Sequence, residues 1–287
     1  MAKTVEQIAS DLNLSVTTVR LVLNGKAEQY RISVKTQTRI NEYVERYGYI
    51  INHSARSLKL NKTDTLGLIV PNISNVFFAT LAEKLEQRCR RSGYQLTISC
   101  TYDDVDYENK LTKAFIARNV DGLFIVPSTL ENQQHHLRKI RKPMVLLDRD
   151  FKYTDNALVE SNNISGGEKL TQNILEAGQA PVWFLLGDAG LPSISDRLTG
   201  YLNALAKKGI ARPIRDRLGA VPPEINIGTF DEHPMLGFLA NNVWSMQQDE
   251  NAWAEKAFEM MLSAIEERPV KKTVKVEMKL IKRIRKK

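Results

Sequence analysis

Hydrophobic positions near the N-terminus follow a helical period in two short segments, residues 5–12 and 16–23. In the first segment they recur at i, i+3, i+4 and i+7, the spacing of one helix face, and they are Val5, Ile8, Ala9 and Leu12. In the second segment they are Val16, Val19, Val22 and Leu23. Asn13, between the segments, tolerates the left-handed backbone of a tight turn. The pattern predicts two helices joined by a short turn.

The polar face of the second segment holds Thr17, Thr18 and Arg20, together with Leu21. Ser15 stands where it can cap the helix and offer the first turn to a phosphate. Short polar side chains and one arginine on such a face can reach base edges and phosphates in a DNA major groove. The spacing fits both a helix-turn-helix and an ordinary helical hairpin.

A third helix is predicted over residues 34–47, with Ser33 as its cap and Gly48 as its end. We expect its apolar positions to pack on the first two helices; these are Ile40, Val44 and Tyr47. Its outward polar positions could meet phosphates, and they are Lys35, Thr36 and Arg39. Contacts of that kind position a DNA-binding protein without specifying sequence.

Residues 52–62 follow as a segment too short to be a stable isolated helix. Its small residues Ser54, Ala55 and Ser57 fall on one side. The segment is either a linker or a helix that folds only when two copies meet on DNA. In the second interpretation Leu58 is a wedge inserted between bases in the minor groove.

From residue 65 the pattern changes to alternating strands and helices, which predicts an α/β fold with a parallel sheet. Strands are predicted at 66–70, 95–99, 122–126 and 145–147, and helices at 77–91, 108–117 and a short one led by His135-His136. Ligands of such sheets bind beyond the carboxyl ends of the strands. Asp148 and Arg149 follow the last of these strands, so they could bind hydroxyls and a phosphate. A surface ion pair is the alternative.

A second α/β unit is predicted to begin with a strand at 158–159. It continues with helices at 163–177 and from 195, strands at 182–186, 225–230 and 243–246, a helix at 251–265 and one edge strand at 273–281. Gly166-Gly167 lacks the glycine pattern of a nucleotide loop, so it indicates close helix packing. Arg197 is suited to bind a phosphate or vicinal hydroxyls, with a salt bridge to Asp196 or Asp188 as the alternative.

The net charge of +8 is unevenly distributed. Residues 1–62 hold ten Lys/Arg and five Asp/Glu, and residues 271–287 hold nine Lys/Arg and one Asp/Glu. The stretch between these two segments has a net negative charge. A basic head on an acidic body fits a polyanion-binding module joined to a sensing or assembly body. The basic tail fits a solvated strand end or a further phosphate-binding surface.

The remaining composition points to the cytoplasm. No apolar run approaches the roughly 20 residues that span a bilayer, and no secretory signal opens the chain. Cys89 and Cys100 share no metal or redox spacing, so we expect free thiols, with a chance pair as the alternative. The histidines lack the spacing of metal ligands.

Several of these segments, in this order, resemble the lactose-repressor family of transcription regulators. They are residues 4–9, 14–25, 32–36 and 47–49, followed by Asn52 and residues 55–58. Residues 24–31 resemble most the fructose-repressor (catabolite repressor-activator) and sucrose-repressor branch. The resemblance implies a helix-turn-helix headpiece over 1–49, a hinge segment over 50–63, and an effector-binding and dimerisation core over 64–287. That core is periplasmic-binding-protein-like, with two doubly wound α/β subdomains.

The resemblance also implies roles for individual residues. Val16, Thr17 and Leu21 would face bases, and the apolar pair Val16 and Leu21 suggests contacts with thymine methyl groups. Phosphates would be held by Ser15, Thr18, Asn24, Ser33 and Thr36, and the hinge wedge would be Leu58. The wider DNA-binding set adds Val5, Arg20, Asn52 and Ala55. The expected effector-binding residues are Asn75, Phe77, Asp148, Arg149, Arg197, Asp231 and Gln248.

The chain departs from the family between about residues 210 and 222. Relatives carry a strand and two helices there, on the order of 50 residues more, given the usual size of a strand–helix–strand unit. We therefore expect the second subdomain to be incomplete, through a natural or engineered deletion, and to lack a central strand and part of its pocket wall.

The function implied is a sequence-specific DNA-binding regulator, most simply a repressor, of carbohydrate genes, which responds to a sugar or a sugar phosphate such as fructose phosphate. Expected partners are double-stranded operator DNA, the effector, and further copies of the chain in a homodimer or homotetramer, with no cofactor and no membrane. The alternatives are a DNA-binding protein with a defective sensing domain and a sugar-binding module without switching. An enzyme is disfavoured, because the sequence shows no nucleophile–base pair, metal cluster or phosphate loop.

Overall fold

The computed structural model describes residues 3–49, 62–151, 157–178, 184, 188–209, 226–239 and 241–284. The chain divides into two compact units, Met1–Thr63 and Asp64–Lys287. The division coincides with the end of the expected hinge segment. None of the helices in the described ranges is long and apolar enough to cross a membrane.

The first unit contains three helices, α1 (Val5–Leu12), α2 (Val16–Leu23) and α3 (Val34–Tyr47). Thr4 and Gln7 form a reciprocal capping box at the start of α1, and Asn13 takes the left-handed conformation (φ 53°) that lets the chain turn into α2. The buried core is Val5, Ile8, Ala9, Val19, Val22, Ala27 and Ile40. The three helices predicted from hydrophobic period are therefore confirmed.

One detail of the headpiece prediction is wrong. Tyr47 does not join the helical core: it is 43% exposed, and its ring lies against that of Tyr43 with centroids 4.6 Å apart. Val16 and Leu23 are half-buried and pack against the core.

We predict that Ile40→Ala unfolds the headpiece without affecting the second unit. Ile40 is fully buried where α3 meets α1 and α2, and truncation of such a side chain costs about 2–5 kcal/mol. Thermal unfolding should then show an early transition that the wild type lacks. The exposed α3 residue Asn41 is the control, and equal melting of Ile40→Ala and Asn41→Ala would contradict this packing.

The second unit is built on a six-stranded parallel sheet in the order β2-β1-β3-β4-β5-β8. The strands are β1 (Thr65–Val70), β2 (Gln95–Cys100), β3 (Gly122–Ile125), β4 (Met144–Leu147), β5 (Leu158–Ser161) and β8 (Thr273–Val276). The connecting helices are α4 (Val76–Arg91), α5 (Val105–Ala117) and α6 (Leu130–Lys139). The inner strands β1, β3 and β4 are nearly continuous buried apolar runs, as in a sheet covered by helices on both faces.

A smaller sheet in the order β6-β7-β9 is the second sheet of this unit. It comprises β6 (Ile227–Phe230), β7 (Val243–Gln247) and β9 (Lys279–Arg283), with β9 antiparallel to β7. The helices around the two sheets are α7 (Asn163–Ala177), α8 (Pro192–Lys207) and α9 (Glu250–Ile265), and a 3₁₀ helix spans Pro234–Phe238. The α/β prediction is confirmed.

The structure corrects how the strands divide between the sheets. The strand at 158–159, predicted to open the second unit, is β5, and it pairs with β4 and β8 in the first sheet. The single edge strand predicted over 273–281 is two strands, β8 and β9, which belong to different sheets. Alternation along the sequence continues through both strands, so it could not show that the chain changes sheet at Glu277 and Met278.

Some predictions lie outside the described residues. These are the strand over 182–186, of which only residue 184 is described, and the segment of the expected deletion, between about 210 and 222. The helix that was expected to follow His135-His136 begins earlier, at Leu130, because Thr129 caps it. Both cysteines are free, and burial raises the pKa of the Cys89 thiol to about 12.

Candidate functional site

The outward face of α2 presents the polar groups expected to meet DNA. Ser15, Thr17, Arg20 and Asn24 are exposed, and Thr18 and Leu21 are half-buried beside them. Ser15 Oγ accepts the Thr18 backbone N–H at 3.0 Å, and the two hydroxyl groups lie 2.8 Å apart. The guanidinium of Arg20 donates to Glu6 Oε1 of α1 at 2.8 Å. One end of α2 is thus capped, and its single arginine is held at the surface.

The start of α3 repeats the arrangement at the start of α2. Ser33 Oγ accepts the Thr36 backbone N–H at 3.3 Å, and the two hydroxyl groups lie 2.9 Å apart. Helix N-termini with exposed hydroxyls attract anions, because their first N–H groups and the helix dipole point outward. Arg39 is held by the Leu12 carbonyl at 3.1 Å and stays exposed.

Four residues of the expected DNA-binding set need separate comment. The Val5 side chain is buried in the headpiece core, so a contact through that side chain is wrong, and only its backbone N–H at the start of α1 faces outward by helix geometry. Asn52, Ala55 and Leu58 lie outside the described residues.

In the second unit, two aspartates follow the carboxyl ends of strands in different sheets. Asp148 comes directly after β4 and Asp231 directly after β6, and both adopt left-handed backbone conformations, φ 63° and φ 67°. Aspartate tolerates this conformation better than most residues. The left-handed backbone at these two positions turns the chain sharply at the end of each strand. The charge of Asp231 acts on the Asp148 carboxyl group and raises its pKa, which makes the ends of the two strands candidates for one site.

Asp148 is buried, and no hydrogen bond to its carboxyl group occurs among the described residues. Burial raises the pKa of Asp148, and the charge of Asp231 acts in the same direction, whereas Arg197 and Arg149 oppose it. A buried carboxylate without hydrogen-bond donors is costly, so the site is suited to a ligand that brings hydroxyl donors.

Arg149 is also buried, and the structure gives it a partner that the sequence did not indicate. Its Nη1 donates to Asp103 Oδ1 at 2.7 Å and lies 3.4 Å from the Pro127 carbonyl. Asp103 follows the β2 strand and is half-exposed. Arg149 is therefore an ion-paired residue at the edge of the site, beside Asp148.

Arg197 of α8 does not form the predicted alternative salt bridge. Its Nε donates to Asn163 Oδ1 at 2.9 Å, and its guanidinium carbon lies 4.3 Å from the centroid of the Phe230 ring. Within the described ranges its two terminal nitrogens have neither Asp196 nor Asp188 as a partner. Arg197 is thus oriented by a neutral amide and an aromatic ring, with its terminal N–H groups left for a ligand.

Close packing of α7 on α8 brings Asn163 and Arg197 together. A Cβ on Gly167 would lie 2.4 Å from the Arg197 carbonyl oxygen, and one on Gly200 would lie 2.2 Å from that of Ile164. Only glycine fits at these points. The prediction that Gly166-Gly167 indicates helix packing is confirmed.

Gln248 connects the second aspartate to the interior of the first sheet. Its Nε2 donates to Asp231 Oδ1 at 2.5 Å, and its Oε1 accepts from Ser161 Oγ at 2.6 Å. Ser161 in turn accepts the indole N–H of Trp253 at 3.2 Å. This chain of hydrogen bonds fixes the direction of the Asp231 carboxyl group.

The remaining two expected effector residues do not present free side chains. The Asn75 side chain caps α4 by accepting the Phe77 N–H at 2.9 Å. Phe77 is buried against Trp253, with ring centroids 5.3 Å apart. Phe77 thus packs in the core of the second unit, and the contact of Asn75 and Phe77 with the effector stays a prediction.

Sequence analysis missed Asn163, Ser161, Trp253 and Asp103. Asn163 was within reach, because an asparagine at the start of a helix that opens after a strand is a usual ligand position. The others are brought in by contacts between residues far apart in the sequence. Among the described residues no group of histidine, cysteine and carboxylate side chains could hold a metal ion.

Replacing Asp148 by asparagine is expected to stabilise the free protein and weaken effector binding. The raised pKa means that the ionised carboxyl group destabilises the fold at neutral pH, and asparagine tolerates the same backbone conformation. The variant should melt higher than the wild type at neutral pH. The difference should shrink as the pH falls through the folded-state pKa and vanish where aspartate is protonated in both states.

The same variant should lose about tenfold or more in affinity for a sugar phosphate, since one hydrogen bond to a charged group is worth about 1.5–3 kcal/mol. Calorimetry measures the affinity, and Asp106→Asn at the exposed start of α5 is the control. Lower stability of Asp148→Asn at neutral pH would contradict the assignment of a strained buried carboxylate.

Comparison with known proteins shows which class of protein this chain resembles. Residues 66–234 match the family model described as a periplasmic binding protein domain. The chain is 28% identical to the sucrose operon repressor of Klebsiella pneumoniae, over 92% of each chain. It is 31% identical to the fructose operon regulatory protein of Vibrio cholerae, over 72% of this chain and 64% of the relative.

Solved structures show the same fold. The lactose repressor dimer bound to operator and an anti-inducer aligns over 98% of both chains with a TM-score of 0.84 at 16% identity. The Cra regulator of Pseudomonas putida in complex with fructose 1-phosphate aligns over 78% of this chain and all of that chain, with a TM-score of 0.66 at 24% identity. The chain belongs to the lactose-repressor family of transcription regulators, and its core is the periplasmic-binding-protein-like domain of that family.

Proposed function

We propose that this protein is a sequence-specific DNA-binding regulator of carbohydrate genes, acting as a repressor that responds to a sugar phosphate of the fructose phosphate type. The observation that carries the effector proposal is the arrangement of Arg197, whose terminal N–H groups have no hydrogen-bond partner among the described residues and whose charge acts on the buried Asp148. Guanidinium groups bind phosphate bidentately, and carboxylates accept from sugar hydroxyls. The fructose and sucrose operon regulators among its relatives, and the fructose 1-phosphate in the Cra complex, support this ligand class.

The DNA-binding part of the proposal rests on α2. Its exposed face would enter the major groove, with Thr17 and the half-buried pair Val16 and Leu21 at the base edges. The capped starts of α2 and α3 would hold phosphates on either side through Ser15, Thr18, Ser33 and Thr36, with Arg20 and Asn24 as further contacts. Asn52, Ala55 and Leu58 complete the proposed interface.

A second copy of the chain is part of the proposal. A near-palindromic operator needs two headpieces, and the second unit exposes an apolar patch on its 3₁₀ helix. Phe238 there is 87% exposed, and Met235 and Leu239 lie beside it. Two copies, as a dimer or within a tetramer, would cover these residues in a cytoplasmic protein that needs no cofactor and performs no catalysis.

The alternative is a DNA-binding protein with a defective sensing domain. The alignment with the sucrose operon repressor runs over 308 positions, more than the 287 residues of this whole chain. The relative therefore has residues that this chain lacks, and a deletion near 210–222 would remove part of the pocket wall. The test is calorimetry with fructose 1-phosphate: binding supports the sensor, and absence of binding by a protein that still binds DNA supports the alternative.

Replacing Leu58 by glycine is expected to abolish specific duplex binding and leave weak, salt-sensitive binding. The proposed hinge helix would lose both its helix propensity and the apolar wedge that unstacks a base step. A gel-shift with the operator selected from a random pool of DNA measures the effect. Lys59→Gly is the control for propensity alone, and unchanged operator binding by Leu58→Gly would refute the hinge proposal.

A further inference from the structure

The start of α7 holds an unusual buried amide. Asn163 is 2% exposed, and its Oδ1 accepts from Arg197 Nε at 2.9 Å. Its Nδ2 is buried and has no hydrogen-bond partner among the described residues. The amide cannot be turned over to relieve this, because its NH₂ group would then face the N–H of Arg197.

Buried donors without a hydrogen-bond partner are rare in folded proteins, because each one loses its hydration without gaining a hydrogen bond. The near-isosteric residue that would satisfy Arg197 without such a donor is aspartate. An aspartate at this position would form an ion pair with the guanidinium and neutralise its charge. An asparagine orients the same guanidinium and leaves its full positive charge for a ligand.

The surroundings of Arg197 agree with this interpretation. The Phe230 ring packs on the guanidinium face and cannot neutralise it, and no carboxylate bonds to it within the described ranges. The first turn of α7 has no side-chain cap, so its N–H groups add to the positive potential beside Asn163. By contrast Arg149, the other cation of the site, is already paired with Asp103.

We infer that Asn163 is a positioning residue: it directs Arg197 at the anionic group of the effector without placing a carboxylate of its own on the guanidinium, and this makes the site selective for a phosphorylated ligand. The inference rests on the proposed function and adds the residue that sets its selectivity. Arg197 alone touches the anion in this scheme, and Asn163 acts through it.

Asn163→Asp is the discriminating variant, since it retains the acceptor for Arg197 Nε and removes the unpaired donor. We expect its melting temperature to be no lower than that of the wild type. We expect its affinity for fructose 1-phosphate to fall about tenfold or more, because the new carboxylate competes with the phosphate for the same guanidinium. Affinity for unphosphorylated fructose, measured by the same calorimetry, should change less than threefold, so selectivity between the two sugars is lost.

If Asn163 had a purely structural role, the affinities for both sugars would change together, in step with the stability of each variant. Fructose 1-phosphate binding by Asn163→Asp within twofold of the wild type would overturn the inference. Asn163→Ser is the second variant, and it loses the contact with Arg197 without adding charge. It should weaken fructose 1-phosphate binding in the wild-type background and have no further effect in an Arg197→Ala background; equal effects in both backgrounds would also overturn the inference.

The experiments distinguish a failure of the proposed function from a failure of the role assigned to Asn163. If the wild-type protein binds neither sugar, the proposed function is wrong, whatever the variants do. If the wild type binds fructose 1-phosphate and the two Asn163 variants bind it equally well, the proposed function stands and the role of Asn163 is wrong.

Discussion

Arg197→Ala is expected to lower the affinity of the protein for fructose 1-phosphate by a factor of about 100 or more. Among the described residues the terminal N–H groups of this guanidinium have no partner and its charge acts on Asp148, and two charge-assisted hydrogen bonds to a phosphate are together worth about 3 kcal/mol or more. Calorimetry on the full chain measures the loss. Specific DNA binding without sugar should remain, because Arg197 lies in the second unit.

Two further variants make this prediction sharper. Arg197→Lys keeps the charge but loses the Nε contact with Asn163 and the bidentate geometry. Its affinity for fructose 1-phosphate should therefore lie between those of the wild type and Arg197→Ala. Arg91→Ala removes an exposed arginine at the end of α4 and should have no effect. Wild-type affinity in Arg197→Ala would mean that the ligand site lies elsewhere.

Thr17→Ala should reduce affinity for the selected operator by a factor of about 30 or more. A base contact on this face is worth about 1–3 kcal/mol, and two copies of the chain on a near-palindromic site would lose it twice. Affinity for unrelated duplex DNA, and the dependence of binding on salt, should not change, because these come from phosphate contacts. Fluorescence anisotropy on both duplexes measures the difference.

Ser10→Ala is the control for Thr17→Ala, since it removes an exposed hydroxyl group from α1 and leaves α2 unchanged. Equal losses in the two variants would show that the exposed face of α2 has no special part in operator recognition. A loss on unrelated DNA as large as that on the operator would assign Thr17 to phosphate binding.

The headpiece was predictable because its information is local. The spacing of Val5, Ile8 and Ala9 fixes one face of α1, and the turn residue Asn13 and the cap Ser15 mark the start of α2 without any distant contact. Tyr47 escaped the prediction because periodicity does not show where a neighbouring helix ends. The ring follows the helical period of α3 and yet has no partner helix at that level.

The sheets were predictable in type and only partly in arrangement. Strand–helix alternation identifies an α/β unit, and the rule that ligands bind beyond the strand ends pointed to Asp148, whereas Asp231 came from the family resemblance. The rule does not say which strands share a sheet. β5 and β8 pair across more than a hundred residues of sequence, so the placement of Leu158 beside Thr273 needed the structure.

The site shows the same limit at the level of side chains. Arg197 was identified from its sequence context, but its partner Asn163 lies 34 residues away, and Gln248 meets Ser161 across 87 residues. Phe77 was assigned to the effector only through the resemblance to the family. Its ring turns into the core because Trp253, far along the chain, offers it an apolar partner.

The central claim is that a sugar phosphate bound in the second unit controls operator binding by the headpiece. By linkage, a ligand that favours one state of the protein must change DNA affinity by the same factor by which DNA changes ligand affinity. The most direct test is fluorescence anisotropy of the full chain on an operator selected from random DNA, titrated with fructose 1-phosphate. We predict that the sugar phosphate weakens operator binding at least tenfold in the wild type and has no effect in Arg197→Ala. Operator affinity that stays constant while calorimetry shows fructose 1-phosphate bound would contradict the account.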